Sequence, residues 1–378
     1  MYERLLKIPH QKSFFLFGPR GTGKTSWIKK HFSNGLYLDL LESDLYIELL
    51  AQPQKLEQMI PKKFDNWIIL DEIQKIPELL NEVHRLIETF KYKFAMTGSS
   101  ARSLRKKGVN LLAGRALTYR LYPLTALELG EDFDIQKSLQ FGHLPALTHE
   151  PEAKAYLTSY VKTYLREEVL QEGLTRNLAA FSRFLESASF SQGGVLNMSA
   201  LAREVSIHRK VVESYFQILE DLLIGTKLPI FTKRAKRNVI AHPKFYFFDV
   251  GVFRTIRPRG PLDSEEEAQG PALETLVYQE LVAINAYYNL EYEFYYWRTE
   301  NGLEIDFILY GPKGIVAIEV KRSKKVTTKE LKALQLFIQD YPGTRAFFLY
   351  GGTRREFYGD IQAIPIVEAI KQLPTILQ

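Results

Sequence analysis

A chain of 378 residues has room for two or three domains, and a composition 46% hydrophobic and 13% aromatic supports a sizeable core. Without a single cysteine, disulfides and thiolate metal sites are excluded, and a reducing, cytoplasmic setting is expected. No uncharged apolar run approaches the roughly 20 residues of a membrane span and the first residues carry no signal-peptide pattern. A net charge of +6 permits nucleic-acid binding without requiring it.

The first element is an apolar run, Ser13-Phe14-Phe15-Leu16-Phe17, which reads as a buried strand. It leads into Gly18-Pro19-Arg20-Gly21-Thr22-Gly23-Lys24-Thr25, which fits G-x-x-x-x-G-K-[ST], the phosphate-binding P-loop. A helical stretch from Ser26 to His31 follows, the context the motif needs. Glycines let the backbone wrap phosphates with its N–H groups turned inward, and the helix N-terminus adds partial positive charge. Gly18 to Thr25, with Ser26, are therefore the expected nucleotide-binding residues. Lys24 would reach the β- and γ-phosphates, and Thr25 would hold Mg²⁺.

Trp67-Ile68-Ile69-Leu70-Asp71-Glu72 has the form of a central parallel strand ending in two carboxylates. Such a pair is costly unless a cation or a reaction uses it. Alone, it would be read as a strand end capping the next helix; after a P-loop it reads as Walker B. Asp71 would bind Mg²⁺ through water and Glu72 would act as general base on the attacking water. The remaining strand candidates of this region are Leu36–Leu40, Phe94–Thr97 and Thr118–Leu121, an alternation that implies a parallel α/β sheet. Thr97-Gly98-Ser99-Ser100 places polar groups at the end of the fourth strand, where Ser99 or Thr97 would bond the γ-phosphate or the attacking water. Arg115, just before the fifth strand, is a candidate finger for a nucleotide held by a neighbouring subunit. From Ala101 to Leu127 the basic residues Arg102, Arg105, Lys106, Lys107, Arg115 and Arg120 meet no acid, which reads as a solvated face or a phosphate-facing rim.

On these motifs residues 1–127 resemble an AAA-type ATPase core. The whole chain resembles a prokaryotic family in which that core is fused to a C-terminal domain of uncharacterised function. The resemblance implies an ATPase domain at 1–127, a helical and winged-helix segment at 128–256 and an α/β endonuclease-like domain at 257–378. In the middle segment Ala153–Val169 is rich in helix formers. Ser199 and Ser206 are plausible N-caps of two short helices. The second helix runs from His208 to Ile224 with a stripe of Val211, Val212, Tyr215, Ile218, Leu219, Leu222 and Leu223. Its first turn offers His208, Arg209 and Lys210 to a major groove. Downstream, Lys227, Lys233, Arg234, Lys236, Arg237 and Lys244, interleaved with Phe231, Phe245, Tyr246 and Phe247, resemble the wing of a winged helix. A packing role for the same module is the alternative. Arg257 to Pro271 is turn-rich and acidic and reads as a loop.

Beyond it, Ala272–Ala286 reads as a helix carrying Glu274 and Glu280, and two strands flank the turn Asn301-Gly302. Asp306 and the pair Glu319/Lys321 fall on adjacent strands, with Glu319 and Lys321 on one face because they are two apart. Asp-x(12)-Glu-x-Lys resembles a PD-(D/E)XK nuclease core, which implies catalytic roles for Asp306, Glu319 and Lys321 and metal ligation by Asp306, Glu319 and the helical acid Glu274. Mg²⁺ or Mn²⁺ suits such carboxylates. Lys329–Gln339 would be the following helix, with Gln335 at the outer edge of the site. A chance Glu-x-Lys strand with an ordinary cross-strand ion pair is the alternative.

The function expected from the sequence is ATP binding and hydrolysis coupled to a DNA-binding, metal-dependent nuclease-like domain. The alternative is a nucleotide-switched regulatory ATPase whose nuclease fold grips nucleic acid or protein without cutting. ATP, Mg²⁺ and DNA are the expected ligands, a homo-oligomer is compatible with Arg115, and no membrane partner is expected.

Overall fold

Five short segments, β1 (Ser13–Phe17), β2 (Leu36–Asp39), β3 (Trp67–Asp71), β4 (Lys93–Gly98) and β5 (Ala116–Arg120), form one sheet in the order β2-β3-β4-β1-β5. Every pairing in it is parallel. The computed structural model describes residues 2–8, 11–100, 112, 114–164, 169–170, 177–233, 242–258, 260 and 265–378, with 164 and 265–267 described by backbone alone. They divide into two compact units: Glu3–Tyr122 with Asp221–Ile224, and Pro123–Glu220 with Gly225–Gln378.

In the first unit β1 and β3 are buried along their whole length, as central strands covered on both faces must be. β2 and β5 form the more exposed edges. Helices α1 (Lys24–His31), α2 (Ser43–Ala51), α3 (Lys55–Met59) and α4 (Leu79–Phe90) connect the strands. The apolar stripe of α4, Leu79, Leu80, Val83 and Leu86, joins Phe15, Phe17, Leu70 and Met96 in one core cluster. β4 lies between β1 and β3, so the P-loop, the Thr97–Ser99 turn and the Asp71-Glu72 pair emerge side by side at the C-terminal edge of the sheet. The expected strands are all present. The last begins at Ala116 instead of Thr118, because Ser13 of β1 pairs with it there.

The second unit holds helices, a two-stranded antiparallel ribbon of β6 (Gly225–Leu228) and β7 (Lys244–Phe247), and a six-stranded sheet. That sheet comprises β8 (Glu293–Arg298), β9 (Glu304–Gly311), β10 (Gly314–Lys321), β11 (Arg345–Tyr350), β12 (Glu356–Tyr358) and β13 (Ile361–Pro365), ordered β12-β13-β11-β10-β9-β8. β10 runs parallel to β11 and antiparallel to β9. Trp297, Ile305, Ile308, Ala317, Leu334, Phe337 and Phe348 form part of the core between the sheet and the helix Thr328–Asp340. That helix is closed at its start by a capping box of Thr327 and Glu330.

Three expectations for this unit are corrected. Ser199 is not a cap: the helix is Met198–Val205, and Asn197 accepts the N–H of Ala200 at 3.0 Å. Ser206 ends that helix with φ 57° instead of opening the next one, which spans Arg209–Asp221 and stops short of Ile224. The segment before Pro271 is not all loop. A helix runs from Glu265 to Tyr287 with Pro271 inside it, because Ala272, Leu273, Leu276 and Val277 bury one face and outweigh the Gly270-Pro271 turn signal. No helix among the described residues is long and apolar enough to cross a membrane.

Candidate functional site

The P-loop geometry follows from its glycines. Gly21 and Gly23 hold φ of 84° and 89°, a region glycine enters without a Cβ penalty. Gly18 is required for a different reason: a Cβ there would lie 2.3 Å from the carbonyl oxygen of Leu121. The N–H of Trp27 bonds the Gly23 carbonyl at 2.9 Å and starts α1, whose first turn carries no side-chain cap and no acid. An anion is the natural partner of such an end. Lys24 is buried, and its ammonium donates to the carbonyls of Gly18 at 2.8 Å and Pro19 at 3.1 Å. Thr22 is buried within the loop, while Arg20 and Ser26 are exposed. Arg4 also clasps this loop, donating to the carbonyls of Thr22 at 2.9 Å and Tyr122 at 2.6 Å.

Asp71 is buried and accepts three hydroxyls. Thr25 donates to Oδ2 at 2.9 Å, Tyr37 donates to the same oxygen, and Thr97 donates to Oδ1. Hydrogen bonds to a carboxylate are strong and fix its orientation. Burial, then the bond to Asp71, pushes the Tyr37 phenol above its ordinary range, so it stays a donor. Thr25 and Asp71 bring together the hard oxygen donors that Mg²⁺ prefers, so this pair fits the ion.

Glu72 sits at φ 62°, an uncommon conformation for a side-chain-bearing residue. Its N–H donates to Thr97 Oγ1 at 3.1 Å, and its carboxylate accepts from Gln74 Nε2. The same Gln74 nitrogen reaches Ser99 Oγ at 3.1 Å. Gln74 thus ties the expected base to the expected sensor. Tyr37, Gln74 and Arg4 were not legible in the sequence, since each reaches the site through the fold and not through motif spacing. Arg115 is exposed and paired with Glu88 of α4, whose carboxyl it holds below the usual range. The basic residues Arg102, Arg105, Lys106 and Lys107 lie outside the described residues.

In the second unit the register that sets Ile318 opposite Phe307 brings Glu319 to Asp306. The N–H of Asp306 donates to Glu319 Oε2 at 3.2 Å, and the N–H of Val320 donates to Asp306 Oδ2 at 2.9 Å. Lys321 pairs with Glu319 Oε1 at 2.5 Å and stands 3.9 Å from Asp306 Oδ2. Lys244 of β7, 1% exposed, enters from the other side. Its ammonium lies 2.5 Å from Glu304 Oε1 and 3.4 Å from Asp306 Oδ1. Glu274 accepts from Tyr246 Oη at 3.2 Å, and a Cβ on Gly193, at φ 67°, would come within 2.8 Å of its Oε2.

Burial, then the charge of Asp306, pushes the carboxyls of Glu274 and Glu319 well above the ordinary carboxylate range. For the two lysines burial works toward a lower value. Asp306, with Glu274 and Glu304 for Lys244 and with Glu319 for Lys321, outweighs it and holds both ammoniums above the usual lysine range.

Asp306, Glu319 and Lys321 are gathered on one face, but among the described residues no three acids or imidazoles stand close enough to chelate an ion. The oxygens of Asp306 and Glu319 are engaged by backbone N–H groups and ammoniums, so in this arrangement they do not fit a metal. Gln335 is exposed on its helix, and Glu280 belongs to a separate buried group with His143 and the N–H of Ala126. Lys244 is no surface wing residue. Lys227 pairs with Glu220 and Lys233 with Glu293, while Phe231, Phe245, Tyr246 and Phe247 are buried in the core. Arg234, Lys236 and Arg237 lie outside the described residues. A lysine opening the apolar run Lys244-Phe245-Tyr246-Phe247 was the one signal that could have pointed inward.

Residues 10–130 match the family described as AAA domain, and this region is an AAA-type P-loop domain. Residues 132–263 and 269–369 match two families described as domains of unknown function, DUF8612 and DUF4143. An uncharacterized protein of Mycobacterium bovis is 26% identical over 373 residues, covering 96% of this chain and 82% of the relative. One of Methanocaldococcus jannaschii is 23% identical over 368 residues, covering 89% and 80%. Among solved structures, the Aeropyrum pernix ORC1 protein in complex with DNA aligns with TM-score 0.24 and 12% identity, over 66% of this chain and 87% of that one. A Vibrio cholerae protein aligns with TM-score 0.23 and 12% identity over 97% of both.

Proposed function

We propose that the chain is a Mg²⁺-dependent ATPase whose second unit is the effector that nucleotide state controls. The observation that carries this reading is the convergence of Thr25, Asp71, Glu72 and Ser99 at the edge of one sheet beside the P-loop. The P-loop N–H groups and Lys24 bind the β- and γ-phosphates. Thr25 and Asp71 hold the Mg²⁺, which supplies charge neutralisation at the phosphates. Glu72 takes the proton from the attacking water, Gln74 aims it, and Ser99 bonds the γ-phosphate or that water. Arg115 serves a nucleotide in a neighbouring copy of the chain.

Purified Lys24→Ala protein is expected to lose ATP binding, because the phosphates lose their main cationic partner. Glu72→Gln is expected to bind ATP while hydrolysis falls by roughly 10²–10⁴-fold. Normal turnover by Glu72→Gln would end the assignment of the base.

A second reading concerns the effector. The order helix Glu265–Tyr287, β8, β9, β10, helix Thr328–Asp340, β11, with Asp306, Glu319 and Lys321 on one face, supports a nuclease-like fold that engages DNA in the cytoplasm. The helices Leu178–Phe190, Met198–Val205 and Arg209–Asp221 followed by the β6–β7 ribbon support a winged-helix arrangement beside it. Plasmid nicking with Mg²⁺ or Mn²⁺, abolished by Asp306→Ala, separates a cutting domain from one that only grips.

A further inference from the structure

The cluster in the second unit contains four acids, Glu274, Glu304, Asp306 and Glu319, and two lysines. Buried charge must be compensated locally, by an ion, a proton or a partner side chain. Here both free sides of Asp306 are already occupied. Oδ2 faces the Val320 N–H and Lys321, and Oδ1 faces Lys244. Lys244 is 1% exposed, more deeply buried than Lys321 at 36%, and it comes from β7, outside the sheet that carries Glu304, Asp306 and Glu319. A buried ammonium in that position does electrostatically what a metal would do.

We infer that Lys244 is the resident cation of this cluster, so that a divalent ion reaches Asp306 only by displacing the Lys244 ammonium. The inference rests on the nuclease-like reading of the second unit, and it supplies that reading with a means of control. A doubly charged ion added at Asp306 without the loss of an ammonium would face the like charges of Lys244 and Lys321 at close range.

The test uses the full chain and Mn²⁺ alone, titrated calorimetrically, with Asp306→Ala to identify heat that belongs to this site. Lys244→Met keeps the unbranched side chain as far as Cε and removes the ammonium with its charge. It is expected to bind Mn²⁺ at least about tenfold more tightly than the wild type, or to bind it where the wild type does not. In parallel, wild-type protein is labelled with an amine-reactive reagent and mapped by mass spectrometry. Lys244 is expected to be protected without metal and to become reactive at saturating Mn²⁺. This arm decides the matter if Lys244→Met does not fold. Wild-type protein that binds Mn²⁺ at Asp306 while Lys244 stays protected, or a folded Lys244→Met with unchanged or weaker affinity, overturns the inference and leaves the metal site standing. If neither folded protein binds Mn²⁺ in a manner that Asp306→Ala removes, the inference and the metal site fall together.

Discussion

The two units handle buried charge in opposite ways. At the P-loop, buried charge is met by neutral groups: Lys24 donates to the carbonyls of Gly18 and Pro19, and Asp71 is oriented by three neutral hydroxyls. In the carboxylate cluster the chain brings its own counter-charges, Lys244 and Lys321, to acids that would otherwise repel one another. The first design leaves a site defined by its ligand. The second closes on itself. Neutral donors orient an acid without cancelling it, whereas an ammonium cancels it, and only the former leaves full charge for an incoming ion.

The sharpest way to break the first half of the comparison is Gly18→Ala. A Cβ 2.3 Å from the Leu121 carbonyl forces the backbone to move where the loop leaves β1. ATP binding is expected to fall below detection and the thermal midpoint to drop. Unchanged nucleotide affinity by fluorescence titration would show that the loop is not held by this close approach.

Gln74→Ala tests whether Glu72 is aimed or merely present. Hydrolysis is expected to slow by about tenfold at saturating ATP while ATP affinity is kept, as expected of lost orientation. A change confined to affinity would place Gln74 outside the chemistry.

Buried acids of the second unit should also leave a pH signature. Burial raises the Glu280 carboxyl, and its Oε2 accepts no hydrogen bond among the described residues. The folded state therefore holds a proton that the unfolded state releases. That contribution to stability is present at low pH and is lost as pH rises from the usual carboxylate value through the raised one. Denaturant titrations across that range are expected to show stability declining for the wild type, and declining less for Glu280→Gln, in which Oε1 can still accept the Ala126 N–H. Parallel pH profiles would mean that Glu280 is already ionised in the fold.

The smallest effect is expected at Arg115. Its pairing with Glu88 is exposed, so Arg115→Ala should leave the thermal midpoint nearly unchanged. If Arg115 serves a neighbouring copy, hydrolysis by the wild type rises with protein concentration, and that rise disappears in the variant. Full turnover by a strictly monomeric preparation would remove this role.

What the sequence determined by itself is local. The P-loop spacing, the apolar strand that feeds it and the Asp71-Glu72 strand end were all readable, because contiguous residues make the turn, the strand and the helix start. Asp306, Glu319 and Lys321 were readable for the same reason, since strand alternation and one short hairpin bring them to a common face. The tertiary structure decided the rest. Gln74 finds Ser99 only because β4 is inserted between β1 and β3. Tyr37 finds Asp71 only because β2 pairs with β3. Lys244 is one more basic residue in a basic stretch of sequence, and its meaning reverses once β7 carries it inward to Asp306, 62 positions along the chain. Charge counted along a sequence says how many lysines there are. Whether a lysine faces solvent or neutralises a buried acid depends on packing between segments distant in the chain, and residue spacing carries no record of that.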